Sequence, residues 1–153
     1  MEQTFCDISR YIPMISRGMR IYYDCGLQKY NIGWSQQFLL EHIYNNPGVK
    51  PQDLTDTYRV EKCTTTRGLK RLYDEGYIEI ETDRTDHRSK RLYPSVKADG
   101  VMDHIKNLRS QFDRIIMQDI SSQDLRQFES VLKKLHDNLA EEIKSQREGQ
   151  RND

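Results

Sequence analysis

The chain has 153 residues, enough for one domain with a sizeable core. Charged residues make up 31% of it and the formal net charge is +0, so any attraction to a polyanion has to come from where the charges sit rather than from their sum. Mean hydropathy is −0.90 and no long apolar run occurs, which excludes a transmembrane span. The start, Met1-Glu2-Gln3-Thr4-Phe5-Cys6-Asp7, lacks the basic and apolar regions of a secretory signal. Three cysteines, an odd number at wide spacing, speak against a disulfide framework and for a reducing cytoplasm.

Ile8, Ile12, Ile15, Met19 and Tyr22 recur at helical spacing and predict a first long helix to about Gln28. Pro13 predicts a kink, or a break after a short N-terminal arm, and Gly26 is expected to loosen the far end. Tyr30-Asn31-Ile32-Gly33 reads as a turn. Ser35 then reads as the N-cap of a helix carrying Phe38, Leu39, His42 and Ile43, which Asn45-Asn46-Pro47-Gly48 terminates. Pro51 suits the first position of a short helix with Asp53, Leu54, Thr57 and Tyr58.

The next stretch organises the chain. From Cys63 to Glu75, half-apolar or apolar residues at Thr65, Leu69, Leu72 and Tyr73 mark one helical face, and Gly76 is placed to end the helix at positive φ. The period then changes to two: Tyr77-Ile78-Glu79-Ile80-Glu81 alternates as a half-buried strand does. Thr82 to Lys90 has no apolar residue and suits a hairpin tip, and Arg91-Leu92-Tyr93-Pro94 reads as the return strand. Helix, strand, charged tip and strand make a recognition helix with a β-wing, and the short Pro51 helix before it completes a helix-turn-helix.

From Arg59 to Lys97 ten cations stand against seven acids, a net +3, whereas residues 98–153 sum to −2. The helix offers hydroxyls at Thr64 and Thr66 and cations at Arg67, Lys70 and Arg71, the side chains that reach phosphates and base edges in a major groove. The wing tip offers Arg84, His87, Arg88 and Lys90, and an arginine on a hairpin tip fits a narrow, electronegative minor groove.

Beyond the wing, Ser95 reads as the cap of a helix from Lys97 to Ile120, with Val101, Ile105, Leu108, Phe112 and Ile115 at heptad-like steps. Ser121-Ser122-Gln123-Asp124 starts another helix with capping chemistry, and Leu125, Phe128, Leu132, Leu135 and Leu139 form its seam. The tail from Lys144 is polar and is expected to fray. Two long helices with narrow seams predict a homodimer built from both chain ends, which would also place two recognition helices on one duplex.

Asp86-His87-Arg88-Ser89-Lys90-Arg91-Leu92-Tyr93-Pro94-Ser95 resembles the wing signature of MarR-type transcriptional regulators. Thr64-Thr65-Thr66-Arg67, Leu69, Leu72 and Gly76-Tyr77-Ile78 resemble that family's recognition helix and its exit, and the resemblance extends over nearly the whole chain, with Ala98 where Gly is frequent. It implies a wing arginine in the minor groove held by a nearby Asp, here Arg88 and Asp86. It also implies an oxidant-sensing cysteine near the start of the first helix in some members, which points to Cys6. Cys63, beside Lys62 at a helix start, is a second redox candidate.

The expected fold is therefore mainly α with a small β-wing: a winged helix-turn-helix with long N- and C-terminal dimerisation helices. Residues 1–30 would be the N-terminal dimerisation helix, 31–96 the DNA-binding domain, 97–145 the C-terminal dimerisation helices and 146–153 a flexible tail. The expected partners are double-stranded DNA carrying an inverted-repeat operator, a second copy of the chain, and a small aromatic or acidic effector that releases a repressor. Eight of the fourteen aromatic residues fall in the first 44 positions, and Tyr22, Tyr23, Tyr30, Trp34, Phe38 and His42, with Arg17 as a carboxylate partner, are the effector-pocket candidates. The four histidines have no zinc-ligand spacing, and no phosphate loop or nucleophile elbow occurs, so neither metal, cofactor nor enzyme is expected. Two alternatives stay open: a winged-helix protein-interaction module without DNA binding, and a thiol-based redox regulator.

Overall fold

The computed structural model describes residues 5–58 and 61–149, and the side chains from residue 7 onward within them. Six α-helices and one hairpin follow in the order α1 (Phe5–Leu27), α2 (Trp34–Asn45), α3 (Pro51–Tyr58), α4 (Lys62–Asp74), β1 (Ile78–Thr82), β2 (Lys90–Pro94), α5 (Val96–Ile116) and α6 (Ser122–Gly149). A single 3-10 turn, Gln28–Tyr30, joins α1 to the loop before α2. The described residues divide into two compact units between Gln111 and Phe112.

In the first unit α1 runs unbroken through Pro13, although the missing proline N–H leaves the Ser9 carbonyl without its helical donor. The first half of the seam read there is exposed: Ile8, Ile12 and Ile15 face solvent, Ile15 at 46%, as do Tyr11 and Met14 beside them. Burial begins only at Tyr23 and Leu27 in the last turns. Gly26 has a packing role there rather than a loosening one. A Cβ on it would lie 2.6 and 2.7 Å from the two methyls of Leu108 and 3.2 Å from its Cγ, so the glycine lets α5 approach α1.

Ser35 does not cap α2. The helix begins two residues earlier, with Gly33 at the N-cap; the Trp34 N–H donates to Asp24 Oδ1 at 2.7 Å and the Gly33 N–H to Gln36 Oε1 at 3.0 Å. A carboxylate from the end of α1 does the work expected of a local serine, and so ties the two helices together. Pro51 does open α3, with Asp53 Oδ2 accepting the Lys50 N–H at 3.1 Å. Gly68 allows α4 to close on α2, since a Cβ there would meet Leu39 Cδ1 at 2.5 Å.

The core lies between α2, α3, α4 and the wing base: Leu40, Ile43, Leu54, Leu72, Ile78 and Leu92 are fully or almost fully buried. The strands pair antiparallel with Ile78 opposite Pro94, Ile80 opposite Leu92 and Thr82 opposite Lys90. Ser95 does stand at the N-cap position of α5, its carbonyl accepting the Ala98 N–H at 3.0 Å, but its hydroxyl donates away from the helix, to the Gly76 carbonyl at 2.6 Å. The first half of the α5 seam, Val101, Ile105 and Leu108 with Ala98 and Met102, is buried within this unit, so it is core rather than a free heptad stripe.

In the second unit α5 ends at Ile116, four residues short of the expected Ile120, because the chain turns through Asp119 in the left-handed region at φ 61. Ser121 caps α6, its Oγ accepting the Asp124 N–H at 3.1 Å. α6 does not fray at Lys144: it continues to Gly149, supported by the i,i+4 bond from Gln146 to Glu142 at 2.8 Å. None of its residues is buried, and Phe128, Leu132, Leu135 and Leu139 lie exposed along one stripe.

Gly26→Ala tests the close approach. Overpacking costs about 1–3 kcal/mol, against about 1 kcal/mol gained when Ala replaces Gly inside a helix. The expected net effect is a lower urea midpoint, with Gly26→Ala/Leu108→Ala less destabilised than the sum of the single variants, as two changes sharing one space require.

Candidate nucleic-acid interface

α4 is positioned by its buried face. Thr65, Gly68, Leu69 and Leu72 are buried, and Thr55 Oγ1 donates to Thr65 Oγ1 at 3.1 Å, joining α3 to α4. At about 100° per residue, the line opposite that face carries Cys63, Arg67, Lys70 and Asp74, with Thr66 on one flank and Thr64 and Arg71 on the other. All seven are exposed.

The expected contact residues differ in how free they are. Arg67 has no ion pair among the described residues. Lys70 Nζ sits 2.6 Å from Asp74 Oδ2, an exposed i,i+4 pair of the kind worth little in water and easily exchanged. The Thr66 hydroxyl donates to the Lys62 carbonyl at 2.8 Å, leaving its oxygen able to accept. Arg71 is the exception. Its Nε donates to the Asn31 carbonyl at 2.9 Å and its Nη2 lies 3.5 Å from Glu75 Oε1, so its guanidinium turns to the α1–α2 connection instead of outward.

The wing is organised by a residue the sequence reading passed over. Asp83 is buried at 5% exposure, and its carboxylate accepts from the Thr85 hydroxyl (2.7 Å), the Thr85 N–H (2.8 Å), the Asp86 N–H (3.2 Å) and Arg91 Nε (2.6 Å). The Thr85 hydroxyl first, then the Thr85 N–H, Arg91 and the Asp86 N–H, hold its pKa well below the usual carboxylate range. Arg91 Nη1 donates onward to the Gly48 carbonyl at 2.9 Å, and the Leu92 N–H to the Val49 carbonyl at 3.0 Å. The Asp-x-Thr spacing is a local turn signal; the Gly48 partner, 43 residues from Arg91, leaves none.

Asp86 supports Arg88 through the backbone: its Oδ1 accepts the Arg88 N–H at 3.1 Å, while its carbonyl accepts the Ser89 N–H at 2.8 Å. The side chains of Arg84 and Arg88 are exposed, and Lys90 Nζ reaches Thr82 Oγ1 at 2.9 Å. Cys63 is exposed on the outward line, with its thiol directed at Glu61 Oε2 at 3.4 Å; the side chain of Cys6 lies outside the described residues.

The aromatic candidates are partly brought together. Ring centroids run Tyr22–Tyr23 5.6 Å, Tyr23–Trp34 5.0 Å and Trp34–Phe38 4.5 Å, and Tyr58, which the sequence reading left out, links Phe38 at 6.1 Å to His42 at 5.7 Å. Tyr30 packs elsewhere, 5.1 Å from the His104 ring, and Arg17 is exposed on α1. An open cleft of about 430 Å³ does exist in this unit, but Asp24, Gln28, Asn31, Ile32, Gly33, Gln36 and Arg71 line it, none of them an expected pocket residue. The described residues contain no cluster of three metal-ligating side chains, and no helix is long and apolar enough to cross a membrane.

A helix-turn-helix whose second helix exposes threonine and arginine, followed by a two-stranded wing with exposed arginines, defines a winged-helix protein. Residues 32–90 match the MarR family model. A curated relative, the HTH-type transcriptional regulator BilQ of Clostridioides difficile (strain CD3), is 28% identical over 129 residues, 84% of this chain and 85% of that protein. Among solved structures, a MarR protein from Peptoclostridium difficile DA00132 superposes with a TM-score of 0.85 at 23% identity, covering 93% of each chain. A MarR family regulator from Listeria monocytogenes, complexed with 26mer DNA, does so at 0.79 and 20%, covering 93% of this chain and 92% of that one. Through residues 32–90 the chain carries a domain of the MarR family, whose helix-turn-helix transcriptional regulators are DNA-binding proteins and not enzymes.

The Asp83 bracket makes a prediction about pH. A carboxyl whose folded pKa is lowered stabilises fully above its unfolded value of about 3.9 and loses that contribution as pH falls through the folded value. Wing amide resonances should therefore hold from neutral pH to about pH 4 and shift only in stronger acid. In Asp83→Asn they should be perturbed at neutral pH, and operator affinity should fall by at least as much as in Arg88→Ala.

Proposed function

We propose that the chain is a cytoplasmic, homodimeric repressor that binds an inverted-repeat operator in double-stranded DNA and leaves it when a small effector binds. The observation that carries this reading is the exposed line on α4 together with the wing. Arg67 and Lys70 face outward opposite the buried Thr65–Leu72 seam with Thr64 and Thr66 exposed on either flank, and Arg84 and Arg88 stand exposed on a tip whose backbone is fixed by Asp83 and Asp86. In this reading α4 enters the major groove, the wing arginines enter the flanking minor groove, and Lys90 contacts the backbone. The DNA-bound Listeria relative supports the use of this fold on a duplex.

The dimer is supported by exposed apolar side chains at both chain ends. Ile8, Ile12 and Ile15 on α1 and Phe128, Leu132, Leu135 and Leu139 on α6 are too many and too regularly spaced for isolated surface residues. Effector release is supported by the ring series from Tyr22 to His42, which spans α1, α2 and α3 beside the recognition helix and could transmit a packing change to it.

Duplexes selected from genomic fragments with the purified protein should show inverted symmetry, with half-site centres roughly 34–36 Å apart, and ultracentrifugation should show a dimer at micromolar concentration. By fluorescence anisotropy, Arg88→Ala should weaken operator binding by about 1–3 kcal/mol, while Lys70→Ala should weaken all sequences alike and reduce the salt slope by about 1. Equal operator affinity for Arg88→Ala and the parent would refute the wing assignment.

For the effector, a thermal-shift screen of phenolic and carboxylate compounds should give stabilising ligands that release DNA. Coupling is reciprocal, so saturating operator should weaken such a ligand by the same factor, about 5–150-fold for a typical coupling. Ligands that stabilise the protein without moving operator affinity would remove the release step.

A further inference from the structure

We propose that Arg71 is a positioning residue rather than a DNA contact: with Asn31 and Glu75 it clamps the far end of the recognition helix to the turn that ends α1, and so sets the angle at which Thr64–Lys70 meet DNA. The inference rests on the DNA-binding reading above and adds a role that its charge alone would misassign.

Three observations converge on this end of α4. The first is direction. Arg71 stands on a flank of the helix, about 70° from the outward line at 100° per residue, as far off as Thr66 on the other flank, and it is the bond from its Nε to the Asn31 carbonyl at 2.9 Å that turns the guanidinium to the α1–α2 connection. The second is closure. Arg71 Nη2 lies 3.5 Å from Glu75 Oε1, while Asn31 Nδ2 donates to Glu75 Oε2 at 3.3 Å, so the three residues, Asn31 through both its backbone carbonyl and its side chain, form a ring of contacts spanning two elements. Asn31 offers its carbonyl there because it sits in the left-handed region at φ 56, held by its own N–H on the Gln28 carbonyl at 3.0 Å; Asn accepts that conformation better than most residues. The third is reinforcement. The adjacent carbonyl, that of Tyr30, accepts the Tyr77 hydroxyl at 3.0 Å. Consecutive carbonyls of one turn thus receive donors from both sides of Gly76, and the helix end cannot swing about its axis without breaking both.

An arginine held in this way differs physically from one on a phosphate. A phosphate contact releases counterions, so its loss lowers the salt slope by about 0.9, and lysine largely replaces it as a charge. The clamp needs the guanidinium fork, because a lysine ammonium has no Nε–H in the plane of a second donor pair. Glu75 separates the two roles by sign. If Arg71 contacted DNA, removing a neighbouring carboxylate would strengthen binding; if Glu75 is part of the clamp, removing it weakens binding in spite of the gain in net positive charge.

The test uses the full chain, with Arg71→Ala, Arg71→Lys, Glu75→Ala and, as a milder variant that keeps the ring, Tyr77→Phe. Operator affinity is read by anisotropy across a salt series, and hydrogen exchange of the α4 amides is read without DNA. The expected result is a loss of roughly tenfold or more in operator affinity for Arg71→Ala, with an unchanged salt slope, no rescue by lysine, a same-direction loss for Glu75→Ala, and faster exchange in α4 for all four variants. A slope lowered by about 1 with rescue by lysine, or tighter binding by Glu75→Ala, would overturn the proposal. Should the parent itself fail to bind any duplex, the DNA reading fails; the exchange data then still decide the clamp, since unchanged protection of α4 would overturn it alone.

Discussion

The left-handed turn at Gly76 is the constraint on which the DNA-facing half of the molecule depends. With φ at +76, the Gly76 N–H reaches the Tyr73 carbonyl and the Tyr77 N–H the Leu72 carbonyl, both at 2.9 Å. This paired closure ends a helix sharply and reverses the chain. The same few residues then serve as anchor points for later chain. The Ser95 hydroxyl lands on the Gly76 carbonyl, the Ser95 N–H on that of Tyr77, and Lys97 Nζ on that of Glu75. Recognition helix, wing and the start of α5 therefore meet at one turn, and a residue with a Cβ at position 76 would strain all three connections at once.

A two-stranded hairpin is marginal by itself, and this wing is long enough to need outside support. It obtains that support at its base and its tip. At the base, Leu92 is buried and pairs with Val49 as an isolated third bridge. Toward the tip, the Asp83 carboxylate gathers Thr85, Asp86 and Arg91, and Arg91 carries the connection to the Gly48 carbonyl. The charges of the wing thus divide into two jobs. Arg91, itself half-buried, satisfies the buried Asp83, whereas Arg84 and Arg88 remain in water, available to a partner.

A parallel division holds among the apolar residues. Those that read as one continuous seam along α5 separate into Val101, Ile105 and Leu108, which are buried within the first unit, and Ile115, which is 62% exposed in the second. On α1 the order is reversed: the early turns expose isoleucines and the last turns bury Tyr23 and Leu27. Burial is concentrated around the helix-turn-helix, and the uncovered apolar surface is concentrated toward the two chain ends, which is where a second copy of the chain would remove it from water.

Patterns that depend on neighbours in sequence could be read directly. The helical period of α4, the glycine that ends it, the alternation in β1, Pro51 opening α3 and Ser121 capping α6 are all decided within a few residues, and the family resemblance lies in the same contiguous stretch. The errors arose where a polar side chain had a distant choice. Ser35 and Ser95 carry good capping chemistry, yet Asp24 supplies the cap of α2 and Gly76 takes the Ser95 hydroxyl. Asp83 looked like one acid among seven and is the centre of the wing. Arg71 looked like one of three cations on the recognition helix, with Arg67 and Lys70, and it faces Asn31, forty residues away. The sequence by itself determined which elements form, in what order they follow, and which residue types line the helix and wing. Only the tertiary structure decided which of those charges are spent inside the protein and which are left in solvent, because a hydrogen bond depends on distance in space, and separation along the chain does not set that distance.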